Sequence, residues 1–99
     1  MVIDIVEYKI PGSVDKDEVE EFVEDIVIPN SEKAGFKNIR VGWVVGEEEE
    51  NIGVFIGEMD SLEELETYQD SEEHKKFHEE VEKRFPGIEE KGRIVEVIE

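Results

Sequence analysis

Apolar residues recur at two different periods along this chain, and the order in which those periods alternate limits the fold more than any single motif does. Val2 to Ile10 is dense in β-branched residues and stops at Pro11-Gly12-Ser13, which reads as a strand and a turn. Val19, Phe22, Val23 and Ile26 then fall at i, i+3, i+4 and i+7, one stripe of an amphipathic helix, and Asp15 to Glu18 has the spacing of a capping box in front of it. Pro29 is expected to break or kink this helix after Ile28, with a short turn over Asn30 to Ala34 and a stop at Gly35. Asn38–Gly46 and Asn51–Met59 return to period two, with Glu47 to Glu50 between them as a solvated hairpin tip. Ser61 to Glu64 is a second capping box leading into Leu62 and Leu65. A kink near Asp70, with Asp70 and Ser71 as a second start, precedes His74, Phe77, His78, Val81 and Phe85, and Pro86-Gly87 ends the helix. Arg93 to Ile98 is a last strand. The order is β-α-β-β-α-β, the ferredoxin-like arrangement of the α+β class: one four-stranded antiparallel sheet with two helices on one face. Neither a repeat nor a linker interrupts the 99 residues, so 1–99 reads as a single domain.

Alternation within the strands adds a second constraint. Ile39, Val41, Trp43 and Val45 share a face; Ile52, Val54 and Ile56 lie opposite Phe55 and Met59; Val95 and Val97 lie opposite Ile94 and Ile98. Both faces of the sheet are therefore apolar, and two helices cover only one of them. A second copy of the sheet is the simplest cover for the other, which predicts a homodimer. The net charge of −18 repels phosphate backbones and anionic headgroups, which argues against nucleic acid and membrane surfaces as partners. With no cysteine, the chain has no disulfide, thiol nucleophile or thiolate metal site. The apolar runs are too short for a membrane span, and no signal-like segment opens the chain, so the expected compartment is the cytoplasm.

Few residues are equipped for chemistry. His74 and His78 are the only histidines, an i, i+4 pair on one helical face. Lys75-Lys76-Phe77 fills the space between them, so the zinc-protease pattern is absent, and no stoichiometric metal or haem is expected. Tyr68 lies just ahead of the expected kink and is placed to present its hydroxyl near His74, a pairing able to exchange protons with a bound phenol or enol. Val2, Asp4, Val6, Tyr8 and Ile10 share one face of the first strand, leaving Asp4 either a pocket acid with a raised pKa or an edge residue near a frayed end. Trp43 reads as core or dimer filler or as a ligand stack. The candidate set is thus His74 and Tyr68 as catalytic residues, with Asp4, Tyr8, Trp43, Phe77 and His78 as ligand-binding residues.

The stretch from Met59 to His78, with Ser61, Tyr68, His74, Phe77 and His78, resembles the helix segment of the dimeric α+β barrel superfamily, which includes the antibiotic-biosynthesis-monooxygenase-like and the stress-responsive Dabb proteins. The resemblance spans the whole chain in size and element order. It implies a homodimer with an apolar cavity between sheet and helices in each protomer. Ser61, Tyr68 and His74 resemble the serine, tyrosine and histidine of Dabb cyclases, whereas the strand-one histidine of that branch falls at Asp4 and the proline before its helix histidine falls at Glu72. The monooxygenase-like branch accommodates Ser71 to His74 better, and its quinone-forming members need no metal or cofactor. The haem-degrading relatives place an axial histidine at His78, but their helix tryptophan falls at Tyr68. What the resemblance implies is a cofactor-independent monooxygenase acting on an apolar aromatic or polyketide-like molecule, with His74 as base and Tyr68 as its hydrogen-bonding partner. The alternatives are a Dabb-like cyclase and a non-catalytic binding or structural dimer.

Overall fold

A computed structural model describes residues 1–46 and 51–98; the hairpin tip expected at Glu47 to Glu50 lies outside them. Four strands, β1 (Val2–Lys9), β2 (Lys37–Trp43), β3 (Ile52–Met59) and β4 (Glu89–Glu96), form one antiparallel sheet in the order β2-β3-β1-β4. This is the expected ferredoxin-like α+β topology, with the β1 and β3 strands central and β2 and β4 at the edges.

Helices α1 (Lys16–Phe22) and α2 (Ile28–Ala34) form one continuous helical run through a π-turn at Val23–Val27. Asp15 starts it, its Oδ1 accepting from the Asp17 N–H at 2.9 Å. The break expected at Pro29 does not occur, and Asn30 to Ala34 is helix rather than turn. Within the π-turn the Ile28 N–H reaches back five residues to the Val23 carbonyl. That wider turn gives the Pro29 ring room it would lack over a regular α-turn, and Pro29 falls in the first turn of α2, where a missing N–H is tolerated. Gly35, at φ 104°, stops the run as expected, since only glycine takes this left-handed conformation without a Cβ clash.

Helices α3 (Leu62–Gln69) and α4 (Glu72–Arg84) are two separate helices rather than one kinked helix. Ser61 caps the first, accepting from the Glu64 N–H at 3.2 Å, and Ser71 caps the second, accepting from the His74 N–H at 3.2 Å. Strand β4 starts four residues earlier than the sequence pattern indicates and ends at Glu96. As an exposed edge strand, its Glu89-Glu90-Lys91 start carries no apolar alternation to reveal it.

All four helices lie against one face of the sheet, where two apolar clusters form. Val2, Val6, Phe36, Phe55, Met59 and the fully buried Leu65 make one; Ile10, Val19, Phe22, Val81 and Phe85 make the other. Tyr8 and Val27 touch both. On the opposite face Ile5 pairs with Ile56, and Ile3 with Glu58, with Val54 beyond; among the described residues nothing covers this side. Among them, too, no helix is long and apolar enough to cross a membrane.

Candidate functional site

Strand alternation aims Asp4 and Tyr8 at the helices, because β1 must also bury Val2, Val6 and Ile10 on that side. The break between α3 and α4 brings in the rest. Ser71 ties the two helices together: its hydroxyl donates to the Tyr68 carbonyl while it caps the His74 N–H. As a result the Tyr68 and His74 rings meet edge to face, 5.0 Å apart. One turn further, α4 presents Phe77 and His78, and Glu90 arrives from β4. These side chains line a cavity of about 360 Å³ between sheet and helices, whose apolar wall includes Phe36 and Phe55. That volume lies at the small end of ligand pockets.

Of the sequence-derived candidates, the fold brings Asp4, Tyr8, Tyr68, His74, Phe77 and His78 to this one cavity. Trp43 is not brought there: it lies on β2, beside Val19 and Val41 in a separate groove, with the Lys16 ammonium 4.9 Å from its ring centre. Asp4 sits on a central strand and is only 9% exposed, so it is not the edge residue the sequence left open. Among the described residues no cluster of three or more His, Cys, Asp or Glu side chains is arranged to hold a metal ion.

Hydrogen-bond accounting fixes the histidine pair. His74 Nδ1 lies 3.0 Å from the Gln69 carbonyl, which only accepts, so Nδ1 carries the proton. In neutral His74 the other nitrogen, Nε2, is then an acceptor, and it lies 3.1 Å from His78 Nε2, which must donate to it. His78 Nδ1 lies 3.4 Å from a Glu90 carboxylate oxygen. The result is a relay in which His78 Nε2–H donates to a neutral His74, whose Nδ1–H donates to Gln69, with Glu90 beside His78. The expected hydrogen bond between His74 and Tyr68 is replaced by these two: the Tyr68 hydroxyl instead accepts from Asn30 Nδ2 at 3.5 Å, which leaves its own O–H free to donate.

Burial dominates the titration behaviour of the cavity. It lowers the His74 pKa, and the neighbouring His78 lowers it further, against weaker opposite pulls from the Gln69 carbonyl and Glu90. Burial outweighs the acidic surroundings, so His74 is neutral at pH 7. Asp4 is pushed up to about 6, by burial first and then by Glu90. Burial also raises both Tyr8 and Tyr68, with Glu90 adding to the shift at Tyr8, so both phenols stay protonated donors at neutral pH.

Sequence reasoning missed Gln69, Glu90, Asn30 and the Phe36 and Phe55 wall. Phe55 carried an alternation signal, but Phe36, just before β2, and Glu90 did not: Glu90 lies beyond Pro86-Gly87 at the head of a strand with no apolar pattern, and only the sheet register places it against α4.

Fold and site together define a class: small α+β domains that hold an aromatic, acid–base-lined cavity between one antiparallel sheet and its helices. No family model and no curated protein sequence matches the chain significantly. Solved structures do resemble it. A proposed antibiotic biosynthesis monooxygenase from Deinococcus radiodurans superimposes with a TM-score of 0.77 at 13% identity, over 100% of this chain and 94% of that one. An ethyl tert-butyl ether D family protein from Bacillus halodurans gives 0.71 at 17% identity, over 99% and 100%. A dimeric protein of ferredoxin-like fold from Bacteroides fragilis gives 0.70 at 20% identity, over 97% and 95%. The chain thus has the fold of the antibiotic-biosynthesis-monooxygenase-like proteins.

Proposed function

We propose that this chain is a cytoplasmic homodimer that takes a small aromatic or polyketide-like compound into the cavity and acts on it as a cofactor-independent monooxygenase. The observation that carries this is the cavity itself, where aromatic walls meet two protonated tyrosines, a neutral imidazole and a buried carboxylate. Such a wall suits a flat ring, and the polar groups suit an acidic O–H on it. Loss of that proton leaves an electron-rich phenolate, which reacts with dioxygen: the phenol and O2 become a quinone and one water, with the ring oxidised and O2 reduced. Tyr68, with its O–H free, is placed to donate to the ligand oxygen. His74 acts as a base only if His78 releases its Nε2, so its role in the closed arrangement is to position and polarise.

Support for the dimer comes from the apolar sheet face with Ile5 and Ile56 and from the description of fold neighbours as dimeric. One observation favours the second reading, binding without catalysis: both His74 nitrogens are already hydrogen-bonded. Incubating the protein with tricyclic phenols under air and under argon separates the two. The monooxygenase reading expects oxygen uptake matched by quinone absorbance; tight binding with no oxygen uptake across the panel leaves the binding protein instead.

A further inference from the structure

On the reading of the cavity as a phenol- or enol-binding site rests one further step. We propose that Asp4, rather than either histidine, is the general base that takes the proton from the bound ligand. Three observations carry it. Asp4 faces the cavity from the middle of the sheet, between Gly57 on β3 and Ile94 on β4, and is more than nine-tenths buried. Among the described residues no side chain hydrogen-bonds its carboxylate or forms an ion pair with it, yet neither oxygen is a sealed, unpartnered atom, so both lone-pair sets open into the cavity. A buried carboxylate without a partner is costly and is kept where something other than stability needs it.

The third observation is elimination. The other titratable groups facing the space are Tyr8 from β1, Tyr68 from α3, His74 and His78 from α4, and Glu90 and Arg93 from β4. The tyrosines are protonated, His74 has both nitrogens engaged, His78 lies between His74 and Glu90, Glu90 turns its Oε2 to His78 and is more than a third exposed to water, and Arg93 is a cation. Asp4 alone combines a vacant acceptor with a proton affinity raised toward neutral pH by its surroundings. In the step, the ligand O–H, or a C–H beside a carbonyl, breaks as an Asp4 Oδ–H bond forms. The electron pair stays on the ligand as a phenolate or enolate, and the proton later leaves through the cavity mouth to water.

The test needs neither the natural substrate nor oxygen. β-Tetralone, a bicyclic ketone with acidic C–H bonds, exchanges them for deuterium once an enolate forms, which proton NMR follows. The wild-type protein is expected to accelerate this exchange, with the rate rising on a single ionisation near pD 6, the range of the raised Asp4 carboxyl. Asp4→Asn is expected to lose about a hundredfold or more while β-tetralone still shifts the Tyr68 and His74 resonances. Exchange that survives in Asp4→Asn overturns the proposal. So does wild-type binding without exchange, which leaves the cavity reading standing. A β-tetralone that shifts no cavity resonance removes the cavity reading, and this proposal with it. Should Asp4→Asn bind poorly, the wild-type pD profile decides alone: a midpoint away from 6 refutes Asp4.

Discussion

Replacing Asp4 with Asn keeps the shape of the side chain and removes a buried charge that, among the described residues, has no side-chain partner. The carboxyl pKa rises from 3.8 to about 6 on folding. The folded protein therefore binds more protons than the unfolded chain between these values, and stability falls as pH rises through that window. Taken at face value, about two pKa units correspond to about 3 kcal/mol. The carboxylate opens into a water-accessible cavity, and screening there reduces the figure to about 1–2 kcal/mol. Asp4→Asn is thus expected to be more stable than the wild type by that amount at pH 7, and equal to it below about pH 3, where the wild-type carboxyl is protonated in both states. Urea unfolding at pH 7 and pH 3, at one fixed protomer concentration so that association contributes equally, measures both differences. An Asp4→Asn protein less stable at pH 7, or one with the same offset at both pH values, refutes the claim that Asp4 is buried at a cost.

Gly57→Ala puts a Cβ 2.7 Å from a Phe36 ring carbon and 3.0 Å from a Phe55 ring carbon, and since neither ring is a free surface group the expected cost is about 1–3 kcal/mol in urea unfolding, with narrowing of the cavity that both rings line. Light scattering at micromolar concentration is expected to give twice the 11.5 kDa chain mass, and Ile5→Glu, which plants a charge opposite Ile56 on the uncovered sheet face, is expected to halve it; an Ile5→Glu dimer refutes this face as the interface. Nitrogen-detected NMR is expected to find His74 neutral at pH 7 with its proton on Nδ1, protonating only below the ordinary histidine range near 6.5, so that acidification through that range destabilises the fold; a His74 that titrates above it contradicts the relay.

Much of this fold is readable because local and tertiary demands agree. The β1 alternation of Val2, Asp4, Val6 and Tyr8 is also its burial pattern, and the caps at Asp15, Ser61 and Ser71 all form. The readings that missed did so where an unseen neighbour or a change of helical geometry decided the outcome. Pro29 is a breaker in an α-helix and tolerable after a π-turn, and no residue pattern announces a π-turn. The start of β4 is held by pairing of Glu89 with Lys9 rather than by any apolar face. The candidate site divides in the same way. His74, His78 and Tyr68 are legible as one helical neighbourhood, whereas the neighbours that face the two histidines, Gln69 and Glu90, depend on a helix break and on sheet register. Trp43 shows the converse: its size invites a ligand role, but strand geometry turns it toward Lys16 and away from the cavity.

The π-turn at Val23–Val27 also sets the phase of everything that follows it on the same helical run. Before it, Val19 and Phe22 point into one apolar cluster; Val27, its last residue, and Ser31 after it line the cavity, and Asn30 reaches Tyr68. Each α-helical residue advances the face by about 100° and the axis by about 1.5 Å. Deleting a single residue between Val23 and Val27 would restore a regular helix and rotate α2 by roughly that angle. Val27, Asn30 and Ser31 would swing off the cavity while Val19 and Phe22 stayed in place. One residue of helical surplus is therefore what lets a single helix serve the core with its first half and the ligand space with its second, and a gap or insertion at this point would reshape the pocket without disturbing the sheet.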